Sequence, residues 1–221
     1  EFSPDVVGIS APSFKCFSDA VKLSKAVKKR KIPVVWGGAI TSLIPEIILK
    51  TGVVDYIVVG EGEITLLELV NAITGKISPT NIDGLAYTEN GKTIINPTRE
   101  FADLADLPII NFKFVDPKKY FVENVGCKKM LHIYASKGCI CQCTYCYNPY
   151  YSKCNWRSRP PQYYLSEIKY LVENCGMDGV CFADDLLSPN SAHLTDFCNR
   201  IIESGVKFIW GGEFRADMPT K

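Results

Sequence analysis

The chain has 221 residues, 47% of them hydrophobic and 22% charged, which is the balance of an ordinary globular protein. A net charge of +1 gives no general attraction to nucleic acid or to a membrane surface. No apolar run reaches the ~18 residues that a bilayer span requires, and the opening residues carry no signal-peptide pattern.

Residues 1–75 alternate strand and helix. Val6 to Ser10 reads as a short apolar strand. A helix is predicted over 17–29, with Lys22, Lys25 and Lys29 on one face. The basic run Lys28-Lys29-Arg30-Lys31 is therefore the solvated side of that helix. Pro33 to Trp36 is a second strand, ending in Gly37-Gly38. A helix over 41–50 stops at Gly52, and Val53 to Val59 is a third strand, ending in Gly60-Glu61-Gly62. Glu63 to Ile73 is a third helix, closed by Gly75. Near-continuous apolar strands between helices argue for an α/β fold whose parallel sheet is covered on both faces.

A hairpin follows, with Leu85-Ala86-Tyr87 and Thr93-Ile94-Ile95 flanking the tight-turn pair Asn90-Gly91. Pro97, Pro108 and Pro117, with Asp103 and Asp106 between them, mark an irregular stretch. We read 1–96 as one domain with its hairpin, 97–129 as a linker, and 130–221 as the start of a second domain. There, 131–135 is a strand, and 161–175 is a helix with Tyr164, Leu165, Ile168, Leu171 and Val172 on one face, ended by Gly176. A strand over 179–183 runs into Asp184-Asp185. Ser188-Pro189 reads as the cap of a helix running to Ser204, and 206–210 is a further strand. The chain opens directly on a strand and stops at Lys221 just after another, as expected of a segment of a longer protein.

The chemistry gathers after the strand at 131–135. Cys139, Cys143 and Cys146 have the spacing C-x3-C-x2-C. Three thiolates on one loop suit an iron–sulfur cube, with one iron left open for a second ligand. Ten cysteines would also suit a secreted disulfide scaffold, but clustering points to metal in a reducing compartment. Cys141 extends the cluster to C-x-C-x-C-x2-C, so a zinc site of four thiolates stays open as an alternative.

Ser136-Lys137-Gly138-Cys139 and Cys143-Thr144-Tyr145-Cys146-Tyr147-Asn148 resemble the radical S-adenosylmethionine superfamily. The resemblance implies a [4Fe-4S] cluster on Cys139, Cys143 and Cys146. It implies S-adenosylmethionine chelating the fourth iron, and reductive cleavage to a 5′-deoxyadenosyl radical. It also implies Tyr145 beside the adenine, and the fold of a TIM-type barrel whose first three β/α units lie in this chain. Trp156-Arg157-Ser158-Arg159, Phe182-Ala183-Asp184-Asp185 and Trp210-Gly211-Gly212-Glu213-Phe214-Arg215 are similar to the branch that carries a cobalamin-binding domain. That branch includes methyltransferases and the anaerobic oxidative cyclase of chlorophyll synthesis.

Earlier residues resemble the later half of a cobalamin-binding Rossmann-like domain: Ser10, Gly37-Gly38 and Gly60-Glu61-Gly62, each after a strand. Small residues there let backbone approach a flat macrocycle or its nucleotide tail. The D-x-H-x-x-G motif that ligates cobalt in many such proteins is absent, and His132 and His193 lie outside any such pattern. Ile140 and Cys141 stand where relatives often carry proline and an aromatic. Asp184 is a candidate contact to the cofactor or substrate, or else a helix-capping residue. Glu213 and Arg215 are candidates for the methionine end of S-adenosylmethionine, since an arginine fork suits a carboxylate.

The expected activity is methyl transfer, or rearrangement or cyclisation, at an unactivated position of a small-molecule substrate. The expected partner is an electron donor such as flavodoxin or ferredoxin, in the cytoplasm, with no membrane or nucleic acid. Two alternatives stand beside it. A tRNA or protein methylthiotransferase has a similar loop, including Pro149-Tyr150, but needs three further cysteines that Cys16 and Cys127 do not supply. A zinc-stabilised, non-catalytic binding module is the other.

Overall fold

Valine and tryptophan bury both faces of the strand at 34–37, whereas the strand at 7–10 alternates half-buried and exposed residues. The computed structural model describes residues 3–217 except 76 and 125. Two units divide the chain, residues 1–101 and 102–221.

The first unit runs β1 (Val7–Ser10), α1 (Phe17–Lys28), β2 (Val34–Gly37), α2 (Ala39–Leu43), α3 (Pro45–Lys50), β3 (Tyr56–Val58) and α4 (Glu63–Ile73). A hairpin of β4 (Leu85–Glu89) and β5 (Lys92–Ile95) follows. The sheet order is β1-β2-β3-β4-β5, with β1, β2 and β3 parallel and the hairpin antiparallel. Side chains alternate across β2. Trp36 packs with Ala20, Ile48, Leu49 and Ile57 on one face, and Val35 with Val58, Leu69 and Leu85 on the other. Trp36 also donates its indole N–H to Ser24 Oγ at 2.8 Å, as a buried indole requires. Asn90 and Gly91 both have positive φ, the backbone that a two-residue hairpin turn demands.

Two elements differ from expectation. The helix predicted over 41–50 breaks at Ile44 (φ −132°), because Pro45 lacks an N–H and crowds the residue before it. The third strand begins only at Tyr56. Asp55 is turned aside to accept from Val34 N at 2.9 Å and Lys28 Nζ at 2.6 Å.

The second unit contains β6 (Val122–Asn124), β7 (Cys127–Ile133), β8 (Ser136–Lys137), α5 (Asn148–Tyr151), β9 (Arg157–Ser158) and α6 (Pro161–Tyr170). β10 (Gly179–Phe182), α7 (Ser191–Glu203) and β11 (Ile209–Gly212) follow. The order β11-β10-β7-β6 puts three parallel strands side by side, with β6 antiparallel at the edge. Ile133, Tyr164, Ile168, Val180, Phe182 and Phe197 form the core, and Phe182 meets Phe197 at 5.1 Å between ring centres.

Residues 102–112, inside the stretch read as a linker, are tied to this unit. Tyr163 donates to Ala105 O at 3.1 Å, Ile110 N to Glu167 Oε1 at 3.2 Å, and Phe112 stacks on Tyr170. The helix predicted over 161–175 finishes in a π-helical turn, Leu171–Cys175, before the left-handed Gly176. The cap of α7 is Asn190, which accepts from His193 N at 2.9 Å. Ser188, the expected cap, is buried and donates to Asn190 O. Among the described residues no helix is long and apolar enough to cross a membrane.

Candidate functional site

Gly138 to Trp156 leave the sheet as one loop between β8 and β9, just past the end of β7. Its neck is a short antiparallel ladder, Ser136 opposite Ser158 and Lys137 opposite Arg157. Arg159 N extends the closure by donating to Ala135 O at 2.7 Å. Gly138 has φ +82°, and a Cβ there would lie 2.0 Å from Asn155 O, so the two strands of the neck meet backbone to backbone. Within the loop Cys146 N donates to Cys143 O at 3.0 Å, and Asn148 N to Cys146 Sγ at 3.4 Å. Lys153 and Cys154 both have positive φ near the loop's end, with Cys154 Sγ 3.9 Å from Cys141 O. Such backbone is unusual away from glycine and clusters at functional sites.

Cys139, Cys141, Cys143 and Cys146 are free thiols, each half-buried. Among the described residues no three His, Cys, Asp or Glu side chains gather closely enough to hold a single metal ion. The donor chemistry around the three predicted ligands fits a thiolate-held iron–sulfur cluster. Arg215 Nη1 lies 3.6 Å from Cys143 Sγ, so a cation faces one sulfur. The backbone N–H of Asn148 faces another, and hydrogen bonds to sulfur favour the thiolate. Asn148 itself is buried, and its amide oxygen finds no partner among the described residues. Left so, it costs about 1–3 kcal/mol, which a bound group carrying a donor would relieve. Burial pushes the Cys139 thiol up to about 11; a backbone hydrogen bond of Cys141 opposes the rise, and the Cys141 side chain and Asp185 add to it. A metal's own charge inverts that balance.

The other predicted residues fall in different settings. Tyr145 is 91% exposed, with its hydroxyl against Cys143, whose hydrogen bond holds it above the ordinary tyrosine range. Arg215 is doubly bonded to Asp217, Nε to Oδ1 at 2.9 Å and Nη2 to Oδ2 at 2.7 Å, besides its contact with Cys143. Glu213 is exposed at the end of β11, and its backbone carbonyl accepts from Leu187 N. Asp184 is only 2% exposed, and its carboxylate is engaged by Ala135 and Ser136. Its neighbour Asp185 is the exposed carboxylate, accepting from Tyr147 OH at 3.0 Å.

In the first unit the parallel register brings the predicted strand ends together: Ser10 pairs with Gly37, and Gly37 lies against Val58. Gly38 has φ +117°, and a Cβ on it would meet Pro12 Cα at 2.9 Å. Ser42, which the sequence pattern did not single out, joins two of these ends. Its hydroxyl donates to Gly38 O at 2.8 Å and accepts from Gly60 N at 2.9 Å. Its only local sign is a hydroxyl in the first turn after Gly37-Gly38. Ser42→Ala is expected to lower stability by about 1 kcal/mol, the worth of a lost hydrogen bond, in urea denaturation.

Residues 1–70 match the family described as B12 binding domain. The Pyrococcus horikoshii protein named uncharacterized methyltransferase PH0819 is 29% identical over 221 residues, 98% of this chain and 47% of its own length. The anaerobic magnesium-protoporphyrin IX monomethyl ester cyclase of Synechocystis is 31% identical over 83% of this chain and 36% of its own length. The chain thus spans about half or less of the length of these relatives. The radical S-adenosylmethionine methyltransferase TsrM from Kitasatospora setae, solved with cobalamin and a [4Fe-4S] cluster bound, has a TM-score of 0.70 at 20% identity. That likeness covers 92% of this chain and 42% of TsrM, and it shows a shared fold. Residues 1–70 thus carry a B12-binding match, and the α/β architecture with its cysteine loop beyond β7 shares the fold of a radical S-adenosylmethionine methyltransferase solved with cobalamin and a [4Fe-4S] cluster.

Proposed function

We propose that this chain is the cofactor-bearing part of a cobalamin-linked radical S-adenosylmethionine enzyme. The observation that carries the reading is the three-cysteine loop just past the first of three adjacent parallel strands, in a chain that begins with a B12-binding domain. The similar proteins are named as methyltransferases and as a cyclase, so methyl transfer, or rearrangement or cyclisation at an unactivated position, is the reaction class we assign. We read the three strands as the opening units of a TIM-type barrel, with 1–96 as the cobalamin domain.

Cys139, Cys143 and Cys146 would hold the cluster, with Arg215 and the Asn148 N–H stabilising their thiolates. When bound, such a cluster supplies the electron that cleaves S-adenosylmethionine, and cobalamin supplies a carrier for the methyl group. Tyr145, exposed beside Cys143, offers a flat face to the adenine. Asp185 and Glu213 offer exposed carboxylates to the cofactor's amino group, and Arg215 a fork to its carboxylate. Ser10, Gly37, Gly38, Gly60, Glu61 and Gly62 are the residues we assign to cobalamin, because small side chains at strand ends let backbone approach the macrocycle. A small-molecule substrate, an electron donor of the flavodoxin or ferredoxin kind and the cytoplasm complete the reading.

The test is anaerobic reconstitution of the chain with iron and sulfide, read by metal analysis and visible absorption, followed by retention of hydroxocobalamin on gel filtration. Iron near four per chain and bound cobalamin are expected from a chain with both a [4Fe-4S] cluster and a B12 domain. Zinc with no iron would instead favour the non-catalytic module.

A further inference from the structure

The short segment after β10, Asp184 to Ser188, touches both ends of the cysteine loop and the region of Cys146. At the near end, the Asp184 carboxylate accepts from Ala135 N at 3.1 Å, from Ser136 Oγ at 2.5 Å, and from Ser136 N. Leu186 O lies 3.1 Å from the same Ser136 hydroxyl and accepts from the Trp156 indole N–H at 2.7 Å. One carbonyl therefore meets the first residue of the loop's neck and the residue at the loop's far end. Asp185 takes the Tyr147 hydroxyl, one residue past Cys146. Ser188 Oγ sits 3.0 Å from His193 Nδ1, and the His193 ring stands edge-on to Trp156 at 4.8 Å.

Pairing of the strands does not explain these contacts. β7 and β10 are already joined from Met130–Gly179 to Ile133–Phe182, and Ala183 N adds a bond to Ile133 O at 3.0 Å. Asp184 begins where that ladder stops, and it reaches forward to Ala135 and Ser136 at the mouth of the loop. A buried carboxylate is costly unless its oxygens are fully used, and here three donors, all from the loop's approach, use them. A cluster held by three thiols on one long loop requires those thiols to be brought close to their final places before iron arrives. Otherwise the ordering of the loop is charged against cluster affinity.

We propose that residues 184–188 form a bracket that pre-sets the cysteine loop, with Asp184 as a positioning residue for the cluster rather than a contact to S-adenosylmethionine. This rests on the iron–sulfur reading above.

The unchanged chain, Asp184→Ala, Asp184→Asn and Ser136→Ala are reconstituted with iron and sulfide without oxygen. Iron retained against EDTA is measured, with the electron paramagnetic resonance spectrum of the reduced cluster and far-ultraviolet circular dichroism as a control of fold. Asn keeps an acceptor oxygen at the Oδ1 position, so Asp184→Asn is expected to retain iron and spectrum like the unchanged chain. Asp184→Ala is expected to lose iron roughly 10–100-fold more readily, the effect typical of removing an outer-shell partner, with an altered spectrum. An Asp184→Ala chain that folds and matches the unchanged chain in both readouts overturns the bracket. So does an Asp184→Asn chain as impaired as Asp184→Ala. If Asp184→Ala does not fold, Ser136→Ala decides: faster iron loss supports the bracket, and unchanged retention overturns it. Failure of the unchanged chain to take up iron is a different result, and it sinks the iron–sulfur reading itself.

Discussion

Alanine at Cys139, Cys143 or Cys146 is expected to abolish iron–sulfur uptake, while Cys141→Ala leaves it intact. The loss should exceed the roughly 10–100-fold cost of removing an outer-shell partner, because a ligand itself is gone. The reason for sparing Cys141 is its surroundings. Cys143 has a guanidinium on its sulfur and Cys146 a backbone N–H, whereas the Cys141 side chain is hydrogen-bonded to Cys139 and its carbonyl lies 3.9 Å from Cys154 Sγ. Metal analysis and visible absorption of the four variants, reconstituted side by side without oxygen, check this. A Cys141→Ala chain that loses its iron would make Cys141 a ligand and reopen the four-thiolate zinc site.

Gly138→Ala is expected to destabilise the second unit by about 2–5 kcal/mol, the sum of a left-handed backbone and an unrelieved overlap. The overlap is with a carbonyl oxygen of the opposing backbone, Asn155 O, which cannot swing aside as a flexible side chain would. Gly205 provides the control in the same unit. It too has positive φ, +67°, but a Cβ there meets nothing within 4 Å. Gly205→Ala should therefore cost only the backbone part, about 1–2 kcal/mol. Denaturant titration of the three proteins measures the difference. The Gly138 variant should also fail to hold iron even where it remains folded, because opening the neck frees both ends of the loop. Equal stabilities for the two variants would mean that the neck is looser than its contacts indicate.

Much of the architecture was legible in local pattern. Val34-Val35-Trp36 reads as a strand buried on both faces, because nothing polar interrupts it, and it is one. Asn90-Gly91 announces a turn through its own backbone preference. The misreadings came where another part of the chain competes for a residue. Val53-Val54 looks like strand, but Asp55 is drawn off by Val34 N and Lys28 before the run can pair. Ser188 looks like a cap, but it is buried against His193, and Asn190 caps α7.

The candidate site divides along the same line. C-x3-C-x2-C is a matter of covalent spacing, so three thiols on one loop follow from the order of residues, as does the placing of Ser10, Gly37-Gly38 and Gly60-Glu61-Gly62 at or just past the ends of their strands. What surrounds those thiols comes from distant segments. Arg215 is 72 residues from Cys143, and Asp184 is 48 from Ser136. Asp184 and Asp185 are adjacent in sequence and alike in chemistry, yet one is sealed against the loop's neck and the other faces Tyr147 at the surface. No spacing rule separates the two. Their difference arises just past the end of β10, where Asp184 is turned inward to Ala135 and Ser136 and Asp185 is left outside against Tyr147.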